Sequence, residues 1–234
     1  LVGSEMCIRD SMTDDLRYHG KIVADFETAD LNFLNGRIDI VNSSIAYNND
    51  RFVLDSVSMI AKADTSRNML TLQSEFLKAH LVGKYKLTEL GSAMQDILRV
   101  YYQPNANPAK IPPYSPQNFE FSAQLNNSRF IRDFFPDLEE LRPVTLDGTF
   151  DSQTKSILAK LVAPKVIYGG TKIENVSLDI NTVDSTMYYS TLINKIAISN
   201  VELINTVLSG KVIKNNLDFG LWIKDKQEKE QYYL

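Results

Sequence analysis

Cysteine is nearly missing from these 234 residues: Cys7 stands alone. One thiol cannot form an internal disulfide or a cysteine-rich zinc site, so no such staple holds the fold. Histidine is also scarce. His19 and His80 stand in no H-x-x-x-H spacing, and His80 in "LKAHLVGKY" reads as a strand residue on a polar face. The chain lacks G-x-S-x-G, G-x-x-x-x-G-K-[ST] and G-x-G-x-x-G, the patterns of nucleophile elbows and phosphate-binding loops. No run of about 18 apolar residues is present, so no helix within this sequence is expected to span a bilayer. A basic excess is lacking too. With 25 basic and 29 acidic side chains the net charge is −4, which gives nucleic acid no electrostatic footing.

The opening stretch "LVGSEMCIRDS" carries Cys7. Met6 to Ser11 can be back-translated as ATG TGT ATA AGA GAC AG plus any base, and the stretch resembles a translated transposon adapter from a sequencing library. It has no apolar core of the kind a signal peptide needs. Residues 1–11 are therefore expected to be an artefact. Without Glu5, Arg9 and Asp10 the balance is 24 basic against 27 acidic groups, net −3, with no cysteine.

What remains is 44% hydrophobic and 23% charged over the whole chain, a folded composition long enough for a sizeable core. Alternation with period two dominates it, the mark of strands with one apolar and one polar face. It is clearest at Phe119, Phe121, Ala123 and Leu125, at Val176, Leu178 and Ile180, and at Leu217, Phe219, Leu221 and Ile223. Two stretches break the rhythm. Leu90, Met94, Ile97 and Tyr101 have helical spacing, which predicts an amphipathic helix over 88–102 with Thr88 as N-cap. A shorter helix is predicted near 128–138, starting after Ser128, with Phe130 and Phe134 on one face and Pro136 ending it.

The expected organisation is a β repeat over 12–103 ending in the first helix, a Pro-rich linker over 104–116, and a β repeat region over 117–234. Gly20, Gly83, Gly148 and Gly210 recur at intervals of 63, 65 and 62 residues in similar contexts, "YHGKI", "LVGKY", "LDGTF" and "LSGKV". A second echo centres on Val57, Val176 and Val201. Asp137, Glu139 and Glu140 form the densest acidic group, read as a solvated helix end rather than a catalytic pair. The charge run "KDKQEKEQ" reads as a hairpin turn. The N-x-S matches at Asn42, Asn126 and Asn175 are common by chance and are read as carrying no function.

A closed sandwich would bury such half-apolar strands against each other. A folded-over sheet left open would instead present an apolar trough. Burying an acyl chain of about fifteen methylenes there is worth on the order of 12 kcal/mol. The order of elements, from "ADLNFLNGRIDIVNSSIAYNNDRFVLDSVSM" through "LKAHLVGKYKLTEL", "NFEFSAQLNNSRFIRDFFPDLEEL" and "LDGTFDSQTKSILAKLVAP" to "LWIKD", resembles the TamB family of AsmA-like proteins in its Bacteroidetes form. The resemblance covers about Gly20 to Leu234.

It implies an internal fragment of a long periplasmic protein, anchored in the inner membrane by an N-terminal helix outside this stretch. The implied fold is mainly β: an elongated, bent antiparallel sheet of repeated units, a β-taco-like groove, with two short helices. The implied function is conduction of phospholipid between inner and outer membranes. The groove candidates are Ile38, Ile40, Phe119, Phe121, Val176, Leu178, Ile180, Leu217, Phe219, Leu221 and Ile223. Implied partners are phospholipid acyl chains and, through regions beyond this fragment, an Omp85-type outer-membrane barrel. No catalytic residue, metal or cofactor is expected. The alternatives are a scaffold that offers sheet edges to outer-membrane clients and a surface-binding β-sandwich with its function in loops such as 104–116. A transmembrane barrel fits less well, because helices interrupt the strands and aromatic girdles are missing.

Overall fold

The computed structural model describes the backbone of 2–5, 8–9, 16–28, 30–47, 50–103, 108–224 and 230–233, and the side chains of residues 17–224 within those spans. Sixteen strands form one antiparallel sheet. They are β1 (Val2–Glu5), β2 (Ile8–Arg9), β3 (Leu16–Phe26), β4 (Gly36–Tyr47), β5 (Asp50–Ala63), β6 (Asn68–Ser74), β7 (Leu77–Lys84) and β8 (Asn118–Leu125). They continue with β9 (Leu138–Leu141), β10 (Val144–Asp151), β11 (Ser156–Tyr168), β12 (Thr171–Val183), β13 (Thr186–Ile198), β14 (Val201–Ile213), β15 (Asn216–Lys224) and β16 (Glu230–Tyr233). Two helices, α1 (Leu90–Tyr101) and α2 (Arg129–Phe134), interrupt them.

The strands follow one another in the sheet almost in chain order, from β1 at one edge to β16 at the other. β2 and β9 lie off this path, against β3 and β11. Among the described residues the strands form one sheet that does not close and no second sheet lies over it, so the closed sandwich is not the fold. An open layer should expose more surface than a globule. The accessible area is 14,944 Å² for 26.5 kDa, where a compact monomer of that mass would show about 10,700 Å². The segment 104–116 does not divide the sheet, because β7 and β8 pair directly from Leu77↔Leu125 to Lys84↔Asn118.

Local chemistry explains the regularity. Between β11 and β15 the strands turn in two residues, at Gly169–Gly170, Asp184–Ser185, Ser199–Asn200 and Lys214–Asn215, where left-handed residues match the twist of the flanking strands. Left-handed asparagines also occur inside strands: Asn42 (φ 52°), Asn175 (φ 52°) and Asn205 (φ 49°). There the ladder skips a pair, from Ala163↔Val176 to Lys165↔Glu174 and from Ile193↔Thr206 to Lys195↔Ile204. The apolar pattern slips at the same line. In β12 it runs through Ile180, Leu178 and Val176, then resumes at Ile173; in β4 it runs through Ile38 and Ile40, then resumes at Ile45. A left-handed residue interrupts strict alternation and re-aims the strand. A line of such positions gives the sheet a crease.

The recurring glycines do not share one structural position. Gly148 and Gly210 lie in one cross-strand row, opposite Phe121 and opposite Tyr189 and Phe219. Gly83 lies in the next row, opposite Phe119, and Gly20 at a bulge facing β4. Aromatic side chains occupy the space over Gly148 and Gly210. A Cβ at Gly210 would come within 2.0 Å of the Asp218 carbonyl oxygen. Gly210→Ala therefore forces β14 and β15 apart, and urea unfolding is expected to show a loss of about 1–3 kcal/mol.

The helices depart in detail from the sequence reading. A 3-10 turn at Leu87–Glu89 precedes α1, and Thr88 does not cap it; its hydroxyl donates to Asn32 Oδ1 at 2.9 Å. The buried face of α1 is Ala93, Ile97 and Tyr101, whereas Met94 is 45% exposed, because the stripe is rotated by one residue from the predicted one. α2 is capped by Ser128, which accepts from the Ile131 amide, and it stops at Phe134. Asp137, Glu139 and Glu140 are thus no helix end: β9 follows at once, and Glu140 takes ion pairs from Lys165 and Arg142. The expected turn in the charge run falls at 225–229, outside the described residues.

Candidate functional site

Cross-strand register joins the alternating residues into rows that run the length of the sheet. One row passes from Ala24 through Ile38, Met59, Leu72, Ala79 and Ala123. It continues through Leu146, Leu161, Leu178, Thr191 and Leu208 to Leu221. Eleven of these twelve partners are apolar. At about 4.8 Å per strand the row is about 53 Å long. The adjacent row on the other face is polar: His80, Ser122, Asp147, Lys160, Asp179 and Ser190 are successive partners. The unbroken apolar row is thus on the first face, while the other face is mixed: beside its polar row runs Val162, Ser177, Leu192, Val207 and Trp222.

α1 lies against the apolar face at one set of strand ends. Ile97 (0% exposed), Ala93 and Tyr101 pack with Tyr85, Phe119, Phe150 and Val212. Phe150 is 2% exposed and stacks on Phe119 at 4.8 Å between centroids. Tyr101 reaches the far side, where its carbonyl accepts from the Asn215 amide at 3.0 Å. α1 thereby bridges from the end of β7 to the turn after β14 across the apolar face. At the opposite strand ends α2 sets Phe130 and Phe134 against Phe52, and Phe130 against Phe76. The two helices flank the uncovered middle of the apolar face.

A polar cluster holds α1 in place. Asp96 accepts from the ammonium of Lys155, in the β10–β11 turn, and from Tyr114 Oη at 2.5 Å. The Lys155 hydrogen bond, followed by that from Tyr114, holds the Asp96 carboxyl below its usual range. A lowered carboxyl pKa adds stability above the unfolded value, near 3.8, that is lost as pH falls through the folded value. Acid titration is accordingly expected to destabilise the wild type more steeply below pH ~4 than Asp96→Asn, which lacks the titrating group. Burial pushes the Tyr85 phenol up to about 12, consistent with its apolar place beside α1.

The predicted groove residues fall on the apolar rows with two differences. Ile38, Leu178 and Leu221 lie in the row traced above, Ile40 and Val176 one row toward the crease, and Phe121, Ile180 and Phe219 one row toward α1. Leu178, Ile180 and Leu221 are half-buried and carry no second sheet. Phe119, in contrast, is 5% exposed beneath α1 and belongs to the core rather than to the open face. Ile223 lies where the β14–β15 register slips. Leu217 and Phe219 are about half exposed near the β15 edge. Register adds Met59, Leu72, Leu146 and Leu161, which alternation within one strand could have suggested but cross-strand pairing was needed to join.

Other chemistry is sparse. His80 lies on the polar face with its Nδ1 2.9 Å from the Thr71 hydroxyl. A concavity of about 680 Å³ is also on that face, between Arg67, Glu120, Asp147, Lys160 and Asp179, and a larger one of about 760 Å³ adjoins it between Asp179, Ser190, Lys211 and Asp218. Both are wide and shallow, and polar strand residues line them together with Val82, Leu158, Tyr188 and Trp222. Among the described residues no group of three or more His, Cys, Asp or Glu is arranged to hold a metal ion, and no helix is long and apolar enough to cross a membrane. No family model, curated protein or solved structure matches the chain.

Proposed function

We propose that this chain is a non-enzymatic segment of a lipid conduit, its apolar face carrying phospholipid acyl chains out of water between the inner and outer membranes of a bacterial envelope. The observation that carries the reading is the row from Ala24 to Leu221, apolar at eleven of twelve strands and uncovered by any second sheet. A contiguous apolar strip about 53 Å long, left without a second sheet among the described residues, is the kind of surface that marks a binding site. A strip of hydrocarbon without directional polar groups suits acyl chains better than any ligand recognised by hydrogen bonds. The resemblance to TamB supports the same role, with a periplasmic location, an inner-membrane anchor and an Omp85-type partner supplied by regions beyond this chain.

Lipid extraction from the protein made in a bacterial periplasm tests the proposal. Co-purified phospholipid close to one or more molecules per chain is expected after detergent-free purification; a folded, lipid-free protein that takes up none from vesicles would contradict it. A second reading draws on the unclosed sheet. Strand addition at an open edge would let an outer-membrane client dock by backbone pairing, and that docking would persist when the apolar row is made polar.

A further inference from the structure

The geometry points to the Thr206 hydroxyl as the anchor for the ester carbonyl of a bound acyl lipid, so that the chain runs along the strands from the crease toward α1. This inference rests on the lipid-conduit reading and adds to it a chemical requirement: an ester. Thr206 is 8% exposed, and its Oγ1, among the described residues, is a buried side-chain polar atom without a hydrogen-bond partner. It stands in the row Ala163–Val176–Ile193–Thr206, one row from Leu178 on the apolar face. The β14–β15 register slips between Ile204 and Val207, so no residue of β15 is paired with it.

A buried hydroxyl with no acceptor is costly, and valine of the same shape would remove that cost. An acceptor arriving with the ligand removes it too. A hydrocarbon tail offers none, while the first polar atom beyond the tail of an acylglycerol is the ester carbonyl oxygen, which accepts one hydrogen bond. Length agrees. From Thr206 to Val212, under α1, the strand extends about 20 Å, and an acyl chain occupies about 15 Å, half the hydrocarbon thickness of a bilayer.

The test loads the full chain with ester-linked or ether-linked phosphatidylcholine of equal chain length and headgroup, then counts bound lipid by native mass spectrometry. Wild type is expected to favour the ester lipid by about fivefold, the worth of one ordinary hydrogen bond. Thr206→Val should bind both alike, at the wild type's ether-lipid level, with an unchanged or raised melting temperature when lipid-free. Equal binding of both lipids by the wild type would overturn the anchor while leaving the conduit reading standing. Binding of neither would overturn both. A preference that survives in Thr206→Val would assign the ester to another group and also overturn the inference.

Discussion

Replacing Leu161 and Leu178 together with aspartate is expected to lower phospholipid occupancy by about two orders of magnitude while leaving the sheet folded. The two leucines are cross-strand partners at the middle of the apolar row, both half-buried. Each substitution removes apolar contact worth about 1.5 kcal/mol or more and sets a carboxylate where acyl chains would lie. In the lipid-free protein the same carboxylates reach water, because no second sheet lies over them. Binding therefore suffers more than stability. Ser190→Asp, one strand away on the polar face, should leave occupancy as it was. Circular dichroism and lipid mass spectrometry on the three proteins separate the two effects.

Phe150→Ala is expected to cost about 3–5 kcal/mol, the range for emptying a buried aromatic site. Phe150 is 2% exposed, stacked on Phe119 and enclosed by Ile97 and Tyr101. The cluster under α1 is the main closed core of an otherwise open layer, so this loss is a large part of the typical 5–15 kcal/mol that holds a domain together. Urea unfolding should show the drop. Limited proteolysis should cut earlier in the segment from Tyr102 to Gln117, which depends on a docked α1.

Much of this architecture can be read from alternation. Phe119 to Leu125, Val176 to Ile180 and Leu217 to Ile223 predict β8, β12 and β15 and their apolar faces. What alternation cannot give is pairing, and the candidate site is made by pairing. Leu178 is apolar in any register; only its partners Leu161 and Thr191 make it part of a row. Spacing alone does not single out the buried face of α1, because Leu90, Met94, Ile97 and Tyr101 repeat as well as Leu90, Ala93, Ile97 and Tyr101, and the smaller alanine is the residue that is buried. The acidic group after Pro136 reads as a solvated helix end, yet pairing with β11 makes Leu138–Leu141 a strand. Asn42 and Asn175 stand in the sequence only as N-x-S matches and Asn205 in no motif, and their left-handed geometry at the crease has no signal in the sequence beyond asparagine's tolerance of positive φ.

On the lipid-conduit proposal, one face of the sheet meets lipid at Leu178 and the other meets water at Asp179. Leu178 and Asp179 are neighbours in β12 that point to opposite faces. A photo-crosslinking residue placed at each in turn, in protein made in a bacterial periplasm, reads the two faces directly through covalent phospholipid adducts. The account predicts adducts at position 178 and none at 179; equal adducts at both, or none at 178 in folded protein, would contradict it.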